Sequence, residues 1–162
     1  MPRRVLDRDL KLAVGSDEKT VLTDFVVEEL KRRGHALTLF GPLTGDAMGW
    51  HDVGEKVGLE VSHGRVDQGI PFCWTGTGVT IVANKVPGVR AALCWDAETA
   101  KGARMWDDAN VLAMSLRSTS TPVAKEILDS WFSSSAVTTG IDAELIERAK
   151  ALDAMHLHST AK

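Results

Sequence analysis

Apolar residues fall along this chain in two alternating rhythms. Short, nearly unbroken runs occupy Leu10 to Gly15, Ala36 to Phe40, Gly69 to Cys73, Val89 to Cys94 and Val111 to Met114. Between them, apolar positions recur every three or four residues. Val21, Leu22, Phe25, Val26 and Leu30 share one helical face, and Gly34 after Lys31-Arg32-Arg33 supplies the stop. Gly41 to Asp52 reads as a glycine-rich loop holding Trp50 and His51, followed by a helix from about Val53 to Ser62. A further helix is predicted from Ala97 to about Trp106, and another behind Pro122, where Val123, Ile127, Leu128 and Trp131 share a face. Ser133-Ser134-Ser135 through Asp142 reads as a linker, and residues 143–158 as a final helix. Strands that are apolar throughout are covered on both faces. The alternation therefore predicts one α/β domain over residues 1–162: an open, parallel, doubly wound, Rossmann-like sheet of about five strands flanked by helices, with residues 1–9 as a flexible tail. In such a sheet ligands sit at the carboxyl ends of the strands.

Composition narrows the partners. The chain has 162 residues and a formal net charge of −3, so it carries no basic excess suited to nucleic acid. No apolar run approaches the roughly 20 residues of a membrane span, and Met1-Pro2-Arg3-Arg4 lacks the apolar stretch of a secretory signal. Cys73 and Cys94 read as free thiols in a reducing compartment, which predicts a cytosolic protein. No Cys/His spacing of the zinc type is present, and no metal or other cofactor is expected. His63, His156 and His158 read as solvated; His51 is a weaker pocket candidate.

The stretch with the most chemistry is Gly69-Ile70-Pro71-Phe72-Cys73-Trp74-Thr75-Gly76-Thr77-Gly78-Val79-Thr80-Ile81-Val82-Ala83-Asn84-Lys85. A strand ends in a cysteine, a glycine-punctuated turn follows, and an apolar helix starts at once. Gly76 and Gly78 let a ligand approach the main chain closely, and the unpaired N–H groups of such a turn suit an oxygen that becomes anionic. A cysteine at that mouth is a candidate thiolate base or nucleophile. The third glycine of a dinucleotide fingerprint and the lysine of a phosphate loop are missing, which argues against a nucleotide site.

Cys73-Xaa-Thr75-Gly76-Xaa-Gly78, then Ala83-Asn84-Lys85, Val89 to Cys94, and Asp108-Ala109-Asn110-Val111-Leu112-Ala113 resemble the ribose-5-phosphate isomerase B / galactose-6-phosphate isomerase family over about Leu10 to Phe132. The resemblance implies an aldose–ketose isomerase without metal or cofactor. Cys73 would move a proton between neighbouring carbons through an enediolate, and Thr75 would help shuttle the oxygen-bound proton (its hydroxyl also suits a helix cap). Backbone N–H groups from Trp74 through Gly76 and Thr77 to Gly78 would hold the oxyanion. Asp17 matches an aspartate that contacts sugar hydroxyls, and Arg117 an arginine in the fifth-strand turn; a surface ion pair is the other reading of Arg117. Sugar or sugar phosphate is the implied ligand, and homodimers, or pairs of dimers, with pockets between subunits are the implied assembly.

Several positions depart from that pattern. Glu18 and Trp106 stand where the family usually has histidine, the latter being the one credited with opening the sugar ring. Trp74 replaces a glycine, so it either reshapes the pocket floor or faces a subunit interface. Asp107 replaces a hydroxyl-binding asparagine. The arginine segment that clamps phosphate has no counterpart in Thr138 to Glu144, and only Arg148 and Lys150 follow. These changes favour weak action on ribose 5-phosphate and a different substrate, either short and acyclic or unphosphorylated. They also leave open a non-catalytic sugar- or anion-binding protein on the same scaffold.

Overall fold

The structure is a computed structural model and describes residues 9–159, with side chains described to residue 156. The expected tail, Asp9 excepted, and the side chain of His158 lie outside the described residues. The element order is β1 (Lys11–Ser16), α1 (Val21–Arg32), β2 (Ala36–Phe40), a 3₁₀ turn (Gly41–Thr44), α2 (Trp50–Ser62), β3 (Gln68–Cys73), α3 (Thr77–Ala83), β4 (Ala91–Leu93), α4 (Ala97–Asp107), β5 (Val111–Ser115), α5 (Thr121–Ser133) and α6 (Ile141–Ser159).

All strands pair in parallel, in the order β2-β1-β3-β5-β4. The period-two alternation of strand side chains divides the core. Leu12, Val14, Ile70, Phe72, Leu112 and Met114 face α1, α4 and α5, where Val26, Leu30, Ile127 and Leu128 cover them. Ala13, Val111 and Ala113 face α2 and α3, against Val53, Val57, Val79 and Ala83. Trp131 fills the first layer and donates its indole N–H to Gln68 Oε1 at 2.8 Å, so its polar atom is satisfied inside the core. The chain leaves β1 toward β2 on one side and returns to β3 on the other. A crevice therefore opens at the carboxyl ends of β1 and β3, where Ser16-Asp17 and Cys73-Trp74 emerge.

Three boundaries differ from the sequence reading. The expected loop Gly41 to Asp52 holds the 3₁₀ turn, and α2 already starts at Trp50, so Trp50 and His51 are helical. Its cap is Gly49, which offers no side-chain signal. The fourth strand shrinks to three residues because Arg90 N donates to the side chain of Asn110 and Cys94 lies past the strand end. The last helix begins two residues early, behind Gly140 at φ 86°.

One ion cluster ties α1 to α5. Glu29, nearly buried, accepts from Arg32 Nη2 at 2.6 Å and from Arg33 Nε at 2.9 Å, and Arg33 Nη2 reaches Asp129 at 2.5 Å. The Arg32 hydrogen bond, reinforced by Arg33 and opposed by burial, holds the Glu29 carboxyl below its ordinary value. Its contribution is fully present above the unfolded glutamate pKa near about 4.3 and is lost as pH falls through the lower folded value. Glu29→Gln is therefore expected to lower stability at pH 7 by about 1 to 3 kcal/mol, with the difference from wild type closing on acidification; urea melts across pH check this.

Candidate active site

Cys73 is the last residue of β3 and only 5% exposed. Its side chain lies on the α2/α3 face with Val53, Val79 and Ala113, and with Met48 and Leu93 at the edge. Register pairs it with Ser115 of β5. The main chain then turns. The Cys73 carbonyl accepts from Leu116 N at 3.0 Å and Gly76 N at 3.2 Å, and the Trp74 carbonyl accepts from Arg117 N at 3.0 Å and Ser115 Oγ at 2.9 Å. Both carbonyls are thus held toward β5. Among the described residues, the N–H groups of Trp74, Thr75 and Gly78 have no partner within the chain.

Gly76 sits at φ 76° and starts α3. A methyl there would stand 2.6 Å from Leu93 Cδ1 and 3.0 Å from the Met114 backbone, so both conformation and space require glycine. Thr75 and Thr77 share a hydrogen bond of 2.6 Å between their hydroxyls, and both are exposed. Gly78 lets the Trp50 ring lie flush against the first turn of α3; a methyl would stand 2.7 Å from Trp50 Cε3. Trp50 is a site neighbour that the sequence pattern placed in a loop.

Asp17 follows β1 at the same edge. Its Oδ1 is buried with no hydrogen-bond partner among the described residues. Burial pushes its carboxyl above the ordinary value, its own backbone bond opposes that, and the Glu18 carboxylate adds to the rise. Glu18 is exposed, its N–H donating to Ser16 Oγ. An orphaned carboxylate oxygen at the crevice is a ready acceptor for a ligand hydroxyl. Arg117 is exposed beside the Trp74 carbonyl and forms no side-chain ion pair among the described residues. The surface-pair reading of Arg117 therefore finds no partner there.

Trp106 and Asp107 end α4 elsewhere. They line a cavity of about 390 Å³ beneath α6 with Arg90, Asp142 and Ile146, and no residue of the 73–78 turn borders it. Asp107 has its carboxyl raised, first by burial and then by Asp142. Trp74 is 57% exposed within one chain. Lys150 is engaged by Asp108 at 3.0 Å and Glu147 at 3.1 Å, which removes it as a free phosphate ligand; Arg148 is exposed. His63 is exposed beside Arg65, and His51 stacks edge-on with Trp50 in the first turn of α2. Of the described residues, His51, Asp52 and Glu55 offer ligand atoms within 4.8 Å of one another, but all three are exposed on one helix surface. Cys94 is fully buried, and desolvation, with Asp96 and Asp107 adding, pushes its thiol up to about 12, so it stays protonated at neutral pH.

A parallel α/β sheet with a cysteine, a glycine turn of free N–H groups and an aspartate at its switch-point crevice has the parts that a small-molecule site of the enzymatic kind requires. Comparison with known proteins makes this specific. The family model for ribose/galactose isomerases matches residues 12–148. Ribose-5-phosphate isomerase B of Listeria innocua is 35% identical over 126 residues, 77% of this chain and 85% of that protein. D-erythrulose-4-phosphate isomerase of Pectobacterium atrosepticum is 35% identical over 124 residues, 75% and 82% of the two chains. The solved ribose-5-phosphate isomerase B of Clostridium thermocellum superposes with a TM-score of 0.82 at 33% identity, covering 90% of this chain and 99% of that one. The chain belongs to the ribose/galactose isomerase family, and it is an isomerase.

Proposed function

We propose that this protein interconverts an aldose and a ketose through an enediolate, with Cys73 as the base, on a short open-chain sugar phosphate. The observation that carries the reading is the meeting of Cys73, the free N–H groups of its turn and the orphaned Asp17 oxygen at one crevice. The Cys73 sulfur, deprotonated, takes the proton from the carbon beside the carbonyl. The electron pair moves into the C–C bond, and the carbonyl oxygen gains charge against the N–H groups of Trp74, Thr75 and Gly78. Thr75 Oγ carries a proton between the two oxygens, and the thiol, after exchanging its proton with solvent, protonates the neighbouring carbon. Nothing is oxidised or reduced overall. Asp17 accepts from a sugar hydroxyl, and Arg117 supplies the charge for the anionic end.

Substrate size follows from what is missing. Trp106 stands where ring opening would need an acid or base, and an indole has only a donor N–H. A four-carbon sugar with phosphate on its terminal oxygen has no free hydroxyl placed to close a five-membered ring, so it needs no opening. The Pectobacterium relative, named for D-erythrulose 4-phosphate, is in keeping with that choice. Steady-state assays with tetrose, pentose and hexose phosphates and the free sugars test it. The tetrulose phosphate is expected to exceed ribose 5-phosphate in kcat/KM by about a hundredfold, and efficient turnover of ribose 5-phosphate would overturn the assignment. Two copies are expected to share each pocket, because one chain keeps Trp106 and Asp107 apart from Cys73; light scattering that finds single chains only would count against that. Two free thiols suit a reducing, cytosolic compartment, and among the described residues no helix is long and apolar enough to cross a membrane.

A further inference from the structure

We infer that Ser115, held in turn by Ser118, is a positioning residue that aims the Trp74–Thr75 peptide, and with it the Thr75 N–H, into the crevice beside Cys73. The inference rests on the enediolate reading above for its effect on rate, but its geometric part stands alone. Ser115 is the register partner of Cys73 and only 6% exposed. Its Oγ lies 2.9 Å from the Trp74 carbonyl. A carbonyl can only accept, so the Ser115 hydroxyl must donate its single proton there. Its lone pairs are then left for Ser118, whose Oγ lies at 2.7 Å and whose N–H lies at 3.3 Å. The direction of every bond in this chain is therefore fixed, and the Ser115 hydroxyl is satisfied both as donor and as acceptor.

The consequence falls on the next N–H. The described backbone has no cis peptide, and a planar trans peptide sets its C=O and N–H in opposite directions. With the Trp74 carbonyl drawn to β5 by Ser115 Oγ and by Arg117 N, the Thr75 N–H points the other way. The other three bonds onto the Cys73 and Trp74 carbonyls come from backbone N–H groups, which any sequence would supply. Ser115 is the side chain among these donors, so at this point the sequence itself sets the peptide orientation. A hydroxyl buried at a strand end that spends its proton on a turn carbonyl, and not on a strand neighbour, is what a positioning role requires.

Three variants test this. Ser115→Ala is expected to lower kcat at least about tenfold with KM changed less than about twofold, since oxyanion stabilisation is lost only in the transition state. It should also speed hydrogen exchange at the Arg117 amide, whose acceptor is the freed Trp74 carbonyl, by about tenfold, while amides of α1 keep their rates. Ser115→Thr, which keeps the hydroxyl, should recover most of kcat. The exposed Ser118→Ala should show the same pattern at about threefold, and it gives the reading if Ser115→Ala does not fold. Wild-type kcat in Ser115→Ala, or unchanged exchange at Arg117, overturns the positioning role. If Cys73→Ala stays active, the enediolate reading fails by itself, and exchange at Arg117 still decides whether Ser115 holds the turn.

Discussion

Replacing Cys73 with alanine is expected to lower kcat by about 10²- to 10⁴-fold, the usual contribution of a positioned base, while the protein stays folded. That loss corresponds to about 3 to 5 kcal/mol of transition-state stabilisation. The fold should survive because the thiol is small and sits in a satellite cluster of Val53, Val79 and Ala113, not in the main core around Trp131 and Phe72. KM should change little, since Asp17, Arg117 and the turn N–H groups remain. Cys94 provides the control. It is fully buried with its thiol pushed up to about 12, so Cys94→Ala should keep the rate and cost only packing. Iodoacetamide gives a sugar-independent check: Cys73 should be alkylated much faster than Cys94 in the native protein. Equal, slow labelling of both would count against Cys73 as the base.

Gly76→Ala is expected to cost both stability and rate. The residue must hold φ 76°, a region that costs an L-residue about 1 to 2 kcal/mol. The added methyl would also meet Leu93 Cδ1 at 2.6 Å and the Met114 backbone at 3.0 Å. The Leu93 tip can swing away, but the Met114 backbone belongs to β5, which is paired on both sides, and cannot. A total loss of about 2 to 4 kcal/mol follows. The turn will move to relieve the clash, carrying the Thr75 N–H and Cys73 with it, and a shift of about 1 Å at a reacting group costs about a hundredfold in rate. Thermal melts and kinetics on the same preparation separate the two effects. A variant with wild-type rate and melting temperature would show that the turn tolerates a side chain.

The fold could be read from the chain because its strands are short apolar runs and its helices amphipathic; Leu12, Val14, Ile70 and Phe72 fall where that pattern puts them. Sheet order could not. That β5 inserts between β3 and β4 depends on which apolar edges meet, and no local residue encodes it. The start of α2 was hidden for a different reason. Gly49 caps it without a side-chain bond, and glycine near Trp50 looks like loop. At the candidate site, Cys73 and Gly76 stand out by type and spacing, whereas Thr75 and Asp17 are singled out by the family resemblance. Ser115 does not stand out, because a serine closing a strand is common, and only tertiary structure shows its proton reaching the Trp74 carbonyl. The separation of Trp106 from Cys73 was equally invisible, since linear sequence cannot say that α4 ends under α6.

Turnover in D₂O tests most directly whether a proton, and not a hydride, moves between the two carbons. An enediolate held by a thiol exchanges its proton with solvent, so mass spectrometry of product and recovered substrate should show deuterium on the reacting carbon in wild type and none with Cys73→Ala. Isomerisation by wild type with no deuterium in product or recovered substrate, even after many turnovers, would contradict an enediolate whose proton passes through a solvent-exchanging Cys73.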